Sequence, residues 1–217
     1  MRSPTIALPS KCLRCEAELI SPIVCDGCRS LFPLSASADY FDLLGTPKRY
    51  AVDATKLTAA FRALARSVHP DRFTREPDEV RALATRLSAE LNQAFSVLKD
   101  PVRRADYMLE RAGGPSAAQM RDVPGNLLAE VMMLREEIDE ARSAGNVAAL
   151  DRHREAIQSR RDEALQKIAS GADRLTILGD DERRELRRLL NSVKYFDNLL
   201  AELTVDPLAV AGRNTDG

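Results

Sequence analysis

The sequence predicts an all-α protein in which a helical hairpin and a three-helix bundle follow a small cysteine-rich segment. Apolar residues recur at steps of three and four along most of the chain, and no useful run of β-rich sequence appears. The composition, rich in Ala, Leu, Arg and Glu, also favours helices. Proline and glycine at a few points divide the chain into residues 1–35, 36–112 and 122–205.

All four cysteines lie in the first segment, in two Cys-x-x-Cys pairs separated by nine residues. They are Cys12, Cys15, Cys25 and Cys28. This spacing lets four thiolates surround one ion, so it predicts a structural four-cysteine zinc-knuckle module, with iron as the alternative metal. Disulfides or a redox-active pair are less favoured, because no secretion signal is read and no βαβ context surrounds the pairs. Gly27 is expected to ease the turn of the second pair.

The middle segment predicts a short helix and then two long amphipathic helices. Residues 40–44 form the short helix, and Asp53 can cap the next helix, which runs to about residue 68. The apolar face of that helix contains Leu57, Phe61, Leu64 and Val68. Asp78 is expected to cap the second long helix, residues 80–99, and a turn or short helix then reaches Leu109.

The last segment predicts three amphipathic helices with short connections. The three apolar stripes are Leu127, Val131, Leu134, Ile138 and Ala141; Leu150, Ile157, Ala164 and Ile168; and Leu186, Leu190, Val193, Phe196, Leu200 and Leu203. Gly145 and Asn146 separate the first two helices, and Gly171 and Gly179 bracket the second connection. Such a pattern is typical of an antiparallel three-helix bundle.

A His-Pro-Asp tripeptide, His69, Pro70 and Asp71, lies between the two long helices of the middle segment. Antiparallel helices joined by a loop that begins with this tripeptide resemble a J domain, the Hsp70-activating module, over about residues 39–107. The resemblance implies that the tripeptide docks on an Hsp70 ATPase. It also implies a cationic surface that faces the acidic Hsp70, formed by Lys56, Arg62, Arg66 and Arg72. The alternatives are a simple helix stop and an ordinary solvated face.

The resemblance extends to HscB-type co-chaperones of iron–sulfur cluster assembly over about residues 39–203. It is carried by residues 39–45, 100–109 and 134–140. In that family the C-terminal bundle binds an IscU-type scaffold protein. The matching patch here consists of Leu128, Met132, Glu136, Glu140 and Tyr195. Bundle core is the alternative role for Leu128 and Met132, and Ala129 and Met133 depart from the family pattern.

The resemblance implies a co-chaperone that binds the scaffold, delivers it to a specialised Hsp70 and stimulates the Hsp70 ATPase to promote cluster transfer. A J protein for a different client is the first alternative. A zinc-ribbon nucleic-acid binder is the second, but the net charge of −1 and the absence of an aromatic platform argue against nucleic acid. No nucleophile-and-base arrangement is read, so an enzyme is not expected.

The remaining expectations concern location and assembly. No run of about 18 apolar residues occurs, so no membrane span is expected. The cysteine usage indicates a reducing compartment, either a bacterial cytoplasm or a mitochondrial matrix. A homodimer is left open. Residues 207–217 are expected to fray, and metal removal is expected to unfold residues 1–35 while Hsp70 stimulation stays largely intact.

Overall fold

In a computed structural model, residues 11–19 and 21–204 are described, and this part of the chain forms seven α-helices. They are α1 (Tyr40–Leu43), α2 (Ala54–Val68), α3 (Asp78–Lys99), α4 (Pro101–Arg111), α5 (Leu127–Ser143), α6 (Val147–Ala172) and α7 (Asp180–Thr204). A 3-10 helix, Pro70–Phe73, follows α2. The all-α prediction is confirmed. Residues 1–10, 20 and 205, which belong to the predicted segments, lie outside the described residues. So do residues 207–217, which were expected to fray.

The chain divides into two compact units, Met1–Arg104 and Ala105–Gly217, and the division falls inside α4. The described part of the cysteine segment therefore shares a unit with α1, α2 and α3. The predicted boundaries 1–35, 36–112 and 122–205 stay predictions.

The first unit is built on the antiparallel pair α2 and α3. Its core includes Leu57, Val68, Leu87, Leu91 and Leu98, all buried. The rings of Phe61 and Phe95 stack across the pair at a centroid distance of 4.1 Å. The helix α1 packs against α3 and buries Phe41 and Leu43. Phe95 is thus a packing residue between the two helices.

The helices α2 and α3 differ in how their first turns are capped. Asp53 caps α2 as predicted, because its Oδ1 accepts hydrogen bonds from the amides of Thr55 and Lys56, both at 3.0 Å. The predicted cap at Asp78 is wrong. Pro77 precedes the helix without a side-chain cap, and Asp78 is the first helical residue, where it pairs with Arg81. An acid in the first turn still favours the helix dipole.

The second unit is an up-down-up bundle of α5, α6 and α7. Glu130 lies 2.8 Å from Arg160 and Glu137 lies 3.7 Å from His153, so α5 and α6 are antiparallel. The helices α6 and α7 are also antiparallel, since Arg161 lies 2.5 Å from Asp197 and Arg154 donates to the Leu203 carbonyl. The buried residues of the bundle include Val131, Ile138, Ile157, Ile168, Leu186, Leu190 and Val193.

The connections of the bundle follow the prediction at one end and depart from it at the other. Gly145 takes a φ of 64°, and Asn146 caps α6 by accepting from the amide of Ala149. Gly171, predicted to end α6, lies inside that helix. A Cβ at this position would stand 3.2 Å from Cδ1 of Leu186, so glycine here permits close packing of α6 on α7. None of the described helices has the length and apolar character needed to cross a lipid bilayer.

Candidate functional site

The four cysteines form one compact cluster. Their sulfur atoms lie within 4.8 Å of one another, with Cys12 and Cys28 3.6 Å apart and Cys15 and Cys25 also 3.6 Å apart. All four are free thiols. A disulfide requires sulfur atoms about 2.05 Å apart, so neither pair is bonded. Four sulfurs placed tetrahedrally at the zinc–sulfur distance of about 2.3 Å would be separated by about 3.8 Å, close to the observed spacing.

Each cysteine pair lies on a tight turn whose backbone points amides at sulfur. The amide of Arg14 donates to Cys12 Sγ at 3.4 Å, and an antiparallel bridge closes each turn, Lys11 with Glu18 and Val24 with Leu31. The residue after the second cysteine is left-handed in both turns, with φ of 60° at Glu16 and 59° at Arg29.

The expectation for Gly27 needs correction, since the two left-handed positions are occupied by other residues. A Cβ on Gly27 would stand 3.5 Å from Cys15 Sγ and 3.6 Å from Cys25 Sγ. These are ordinary contact distances, so the turn does not require glycine at this position. The absence of a side chain on Gly27 leaves the space beside the sulfur atoms of Cys15 and Cys25 open. The repeated left-handed residue is the local feature that the sequence analysis missed.

The thiols of the cluster affect one another's protonation. Hydrogen bonds from the side chain and then the backbone of Ser30 lower the pKa of Cys28 to about 6. For Cys15 the largest contribution, a hydrogen bond with the backbone of Ala17, lowers the pKa, but hydrogen bonds with Cys28 and Cys25 together with burial raise it to about 12. One thiolate is therefore favoured and a second is disfavoured. A bound cation stabilises several neighbouring thiolates, which would otherwise repel one another, so these four cysteines fit a metal ion.

The His-Pro-Asp tripeptide is displayed on the surface of the first unit. His69 ends α2, and its Nδ1 accepts a hydrogen bond from the amide of Asp71 at 3.3 Å. Pro70 opens the 3-10 helix, which is anchored by the buried ring of Phe73. The side chains of His69 and Asp71 remain exposed. The Asp71 carboxylate lies 3.5 Å from His69 Nδ1, and both side chains face solvent, where another molecule can contact them.

The predicted cationic surface lies on α2 and the 3-10 helix. Lys56, Arg62, Arg66 and Arg72 are exposed. Arg72 Nη1 donates to the Arg66 carbonyl at 3.4 Å, which draws the tripeptide loop against the end of α2. Lys56 lies 3.9 Å from Asp53, a weak exposed pair. Their role in binding stays a prediction.

The α5 face that carries the predicted patch points away from the bundle core. Leu128 and Met132 are 52% and 64% exposed, and Glu136 and Glu140 are exposed as well. Both apolar side chains are thus surface residues, and their alternative role in the bundle core is excluded. Met133 is 61% exposed and widens the apolar surface. Large apolar side chains left in water on one helix face are typical of a protein-binding surface.

Tyr195 on α7 is half-buried and falls at the level of Leu128. The helices α5 and α7 are parallel, and Arg135 pairs with Glu202 at 2.7 Å. Leu128 precedes Arg135 by seven residues and Tyr195 precedes Glu202 by seven, which is two helical turns in each case. The predicted patch is therefore consistent with one surface, although contact between these side chains stays a prediction.

Arg187 and Asn191, two of the buried polar residues of α7, were not found by sequence reasoning. Arg187 is fully buried, and its Nε donates to the Pro115 carbonyl at 2.8 Å while Nη2 contacts Asp106. One turn later, Asn191 Nδ2 donates to the Met120 and Asp122 carbonyls. They fix the segment that precedes α5, so their role is structural. No local sequence signal distinguishes Arg187 from its exposed neighbours.

Comparison with known proteins gives two family matches in consecutive parts of the chain. Residues 39–107 match the DnaJ domain, and residues 123–204 match the HSCB C-terminal oligomerisation domain. The chain thus combines a DnaJ domain with an HSCB C-terminal domain, the arrangement of an HscB-type J-domain protein. The predicted recognition is confirmed, and the four-cysteine cluster is an N-terminal addition to those two matched domains.

Individual relatives agree with the HscB assignment. A co-chaperone protein HscB homolog from Azoarcus sp. (strain BH72) is 40% identical over 114 residues, which are 52% of this chain and 64% of that relative. The match thus spans less than two-thirds of the relative. The chaperone HscB from Vibrio cholerae superposes with a TM-score of 0.65 at 29% identity, over 81% of this chain and 99% of that one. Human co-chaperone protein HscB shares the fold, with a TM-score of 0.71 at 24% identity over 89% and 96% of the two chains.

Proposed function

We propose that this protein is a co-chaperone of iron–sulfur cluster assembly, which carries an IscU-type scaffold protein to a specialised Hsp70 and stimulates the Hsp70 ATPase. The observation that carries the proposal is the presence of both HscB-type domains in one chain. The exposed His-Pro-Asp loop and the exposed apolar face of α5 support it. We assign the function to a bacterial cytoplasm, or to a mitochondrial matrix if the source is eukaryotic.

On the Hsp70 side, the tripeptide acts by binding and performs no chemistry of its own. Asp71 offers an exposed carboxylate to an arginine of the ATPase, and Pro70 and Phe73 fix the backbone that presents it. Lys56, Arg62, Arg66 and Arg72 attract an acidic partner and raise the association rate at low salt. Stimulation follows if the loop binds the hydrolysis-competent state of the Hsp70 more tightly than the other state.

On the scaffold side, the proposed contact is an apolar centre edged by carboxylates. Leu128 and Met132 supply the apolar area, Tyr195 lies at the same level, and Glu136 and Glu140 continue the face along α5. Such a surface, with an apolar core and a charged rim, is typical of protein–protein interfaces.

In the cysteine cluster we propose a structural zinc ion, with iron as the alternative. Cys12, Cys15, Cys25 and Cys28 would all be ligands, so no coordination position remains for a substrate. The metal would supply folding free energy to a segment whose buried apolar side chains are few, among them Ile23 and Val24.

The central test is single-turnover ATP hydrolysis by the candidate Hsp70 proteins, with this protein and with or without the scaffold. We expect both components together to accelerate hydrolysis more than this protein alone, and His69→Gln to abolish the acceleration. Acceleration that ignores the scaffold would leave a J protein for a different client. No acceleration of any Hsp70 would refute the proposal.

The scaffold surface is tested by the double variant Leu128→Ala/Met132→Ala in a direct binding assay with the purified scaffold. We expect the dissociation constant to rise about 10- to 100-fold, because truncation at the centre of an interface costs about 1.4–2.8 kcal/mol. Ile177→Ala is the matched control, since Ile177 is 75% exposed in the α6–α7 connection and lies outside the patch. Equal affinity of the double variant and the control would remove the patch from the proposal.

A further inference from the structure

A cavity of about 370 Å³ lies in the first unit, between the cysteine turns and the helices that follow the tripeptide. Its wall on one side comes from the cysteine segment, and on the other side from the 3-10 helix, the segment after it and α3. Its lining residues include Arg14, Arg29, Arg72, Phe73 and Glu76. Cys28 also lines it, so the cysteine cluster and the 3-10 helix that begins in the tripeptide border one cavity.

The cavity is strongly cationic. Three guanidinium groups, those of Arg14, Arg29 and Arg72, line it against the carboxylate of Glu76. Within residues 11–19 and 21–204, no carboxylate forms an ion pair with any of these three arginines. In this described part of the chain, the guanidinium of Arg14 makes a long contact to the Ser30 hydroxyl, at 3.4 Å, and that of Arg72 donates to a backbone carbonyl. Their charge is therefore available to a partner.

The position of the cavity connects these charges to the tripeptide. Arg72 follows Asp71 directly in the 3-10 helix, and Arg29 follows Cys28 in the second cysteine turn. The left-handed backbone of Arg29 is set by that turn, and Arg14 lies between the two cysteines of the first turn. The cluster thus determines where two of the three arginines are held.

We propose that Arg14 and Arg29 form, with Arg72, a second contact site for the Hsp70, in which the cavity receives an acidic side chain of the ATPase domain. The inference rests on the proposed function, since it takes the Hsp70 as the partner. It follows from charge complementarity, because an acidic surface drawn to α2 would meet these further cations beside the tripeptide. The cysteine cluster then acts as a support that adds affinity for the Hsp70.

The test compares the double variant Arg14→Gln/Arg29→Gln with the wild type in single-turnover ATP hydrolysis, at low and high ionic strength. The control is Arg49→Gln/Arg184→Gln, which removes the same charge from two exposed arginines outside the cavity. We expect the concentration for half-maximal stimulation to rise about 3- to 10-fold at low salt with the maximal rate unchanged. The difference should shrink at high salt, because exposed charges are screened.

Two further variants keep the result interpretable. Arg14→Lys/Arg29→Lys retains the charges and should restore most of the affinity. Glu76→Gln removes a lining carboxylate without touching the cluster, and should lower the half-maximal concentration about twofold. Metal content and circular dichroism of each variant report whether the cysteine turns are intact.

The outcomes separate the two proposals. If the wild type stimulates the Hsp70 and the Arg14→Gln/Arg29→Gln and Glu76→Gln variants match the control, the second contact site is wrong and the proposed function stands. If the wild type fails to stimulate any Hsp70, the proposed function itself fails. Binding of inorganic pyrophosphate that is lost in Arg14→Gln/Arg29→Gln, with unchanged Hsp70 kinetics, would assign the cavity to a small anion and overturn the proposal.

Discussion

Lys48 links the start of α1 to the loop that follows it. Its Nζ lies 2.8 Å from Asp39 and 2.7 Å from Asp42, the two residues that form the capping box of α1. Burial by itself raises the pKa of Asp42, but hydrogen bonds with Lys48 and with the backbone of Asp39 lower it below its usual value. Burial by itself lowers the pKa of Lys48, but the hydrogen bonds with both aspartates raise it above its usual value.

This contact predicts a pH-dependent loss of stability in Lys48→Met. A carboxyl with a lowered pKa stabilises the folded state above its unfolded pKa of about 3.9, and this stabilisation is lost as pH falls through the folded pKa. We expect the variant to be about 0.5–1 kcal/mol less stable at pH 7, since the lysine is half exposed. The deficit should shrink as Asp42 becomes protonated, because Lys48 then keeps only its pair with Asp39 among these two carboxylates. Urea denaturation at several pH values measures it, with Lys194→Met as control, and a deficit independent of pH would contradict the account.

At the scale of single residues, the sequence predicts the cysteine ligands but not the backbone conformation of the turns that hold them. The four cysteines could be predicted because the Cys-x-x-Cys spacing itself encodes a shared ion. Glu16 and Arg29, the left-handed residues of the turns, could not, since neither is glycine and either residue type is common in ordinary turns. Only the repeat of one conformation after each second cysteine identifies them.

At the scale of elements, α7 combines an apolar stripe with a polar anchor. Leu186, Leu190 and Val193 are buried as their spacing predicts. Arg187 and Asn191 are buried too, because they donate to carbonyls of residues 115–122, about 70 positions away in the sequence. Periodicity describes which face of a helix is apolar, but it carries no information about which distant carbonyls need a donor. This is why the stripe was predictable and the anchor was not.

The anchor predicts that Arg187→Leu is strongly destabilising. The substitution leaves Asp106 without its buried cation and the Pro115 carbonyl without its donor. We expect a loss of about 3 kcal/mol in the free energy of unfolding, at the low end for broken buried pairs because Asp106 keeps some access to water. Arg188→Leu on the same helix breaks only the partly exposed pair with Glu185 and should cost less than about 1 kcal/mol. Equal losses in the two variants, measured by urea denaturation, would contradict the anchor.

At the scale of the whole molecule, the first unit combines two kinds of stability. The helices α2 and α3 rest on a buried core of Leu57, Val68, Leu87, Leu91 and Leu98. The cysteine turns have few buried apolar residues, so we expect them to depend on a metal ion, which can contribute roughly 10–16 kcal/mol of apparent binding free energy to such a site. The two parts nevertheless belong to one compact unit and share the cationic cavity.

Metal removal should therefore separate affinity from stimulation. After chelation we expect hydrogen exchange to accelerate in residues 11–35, while the helical circular dichroism signal persists because the core of α2 and α3 contains no cysteine. Maximal stimulation of the Hsp70 should remain, since the tripeptide is held by α2 and Phe73. The half-maximal concentration should rise to that of Arg14→Gln/Arg29→Gln, and chelation of that variant should add little, because both changes remove the same contact. Re-addition of Zn²⁺ is the control for reversibility. Loss of the helical signal would show instead that the metal supports the whole unit, and loss of maximal stimulation would show that the cysteine turns hold the tripeptide itself in place.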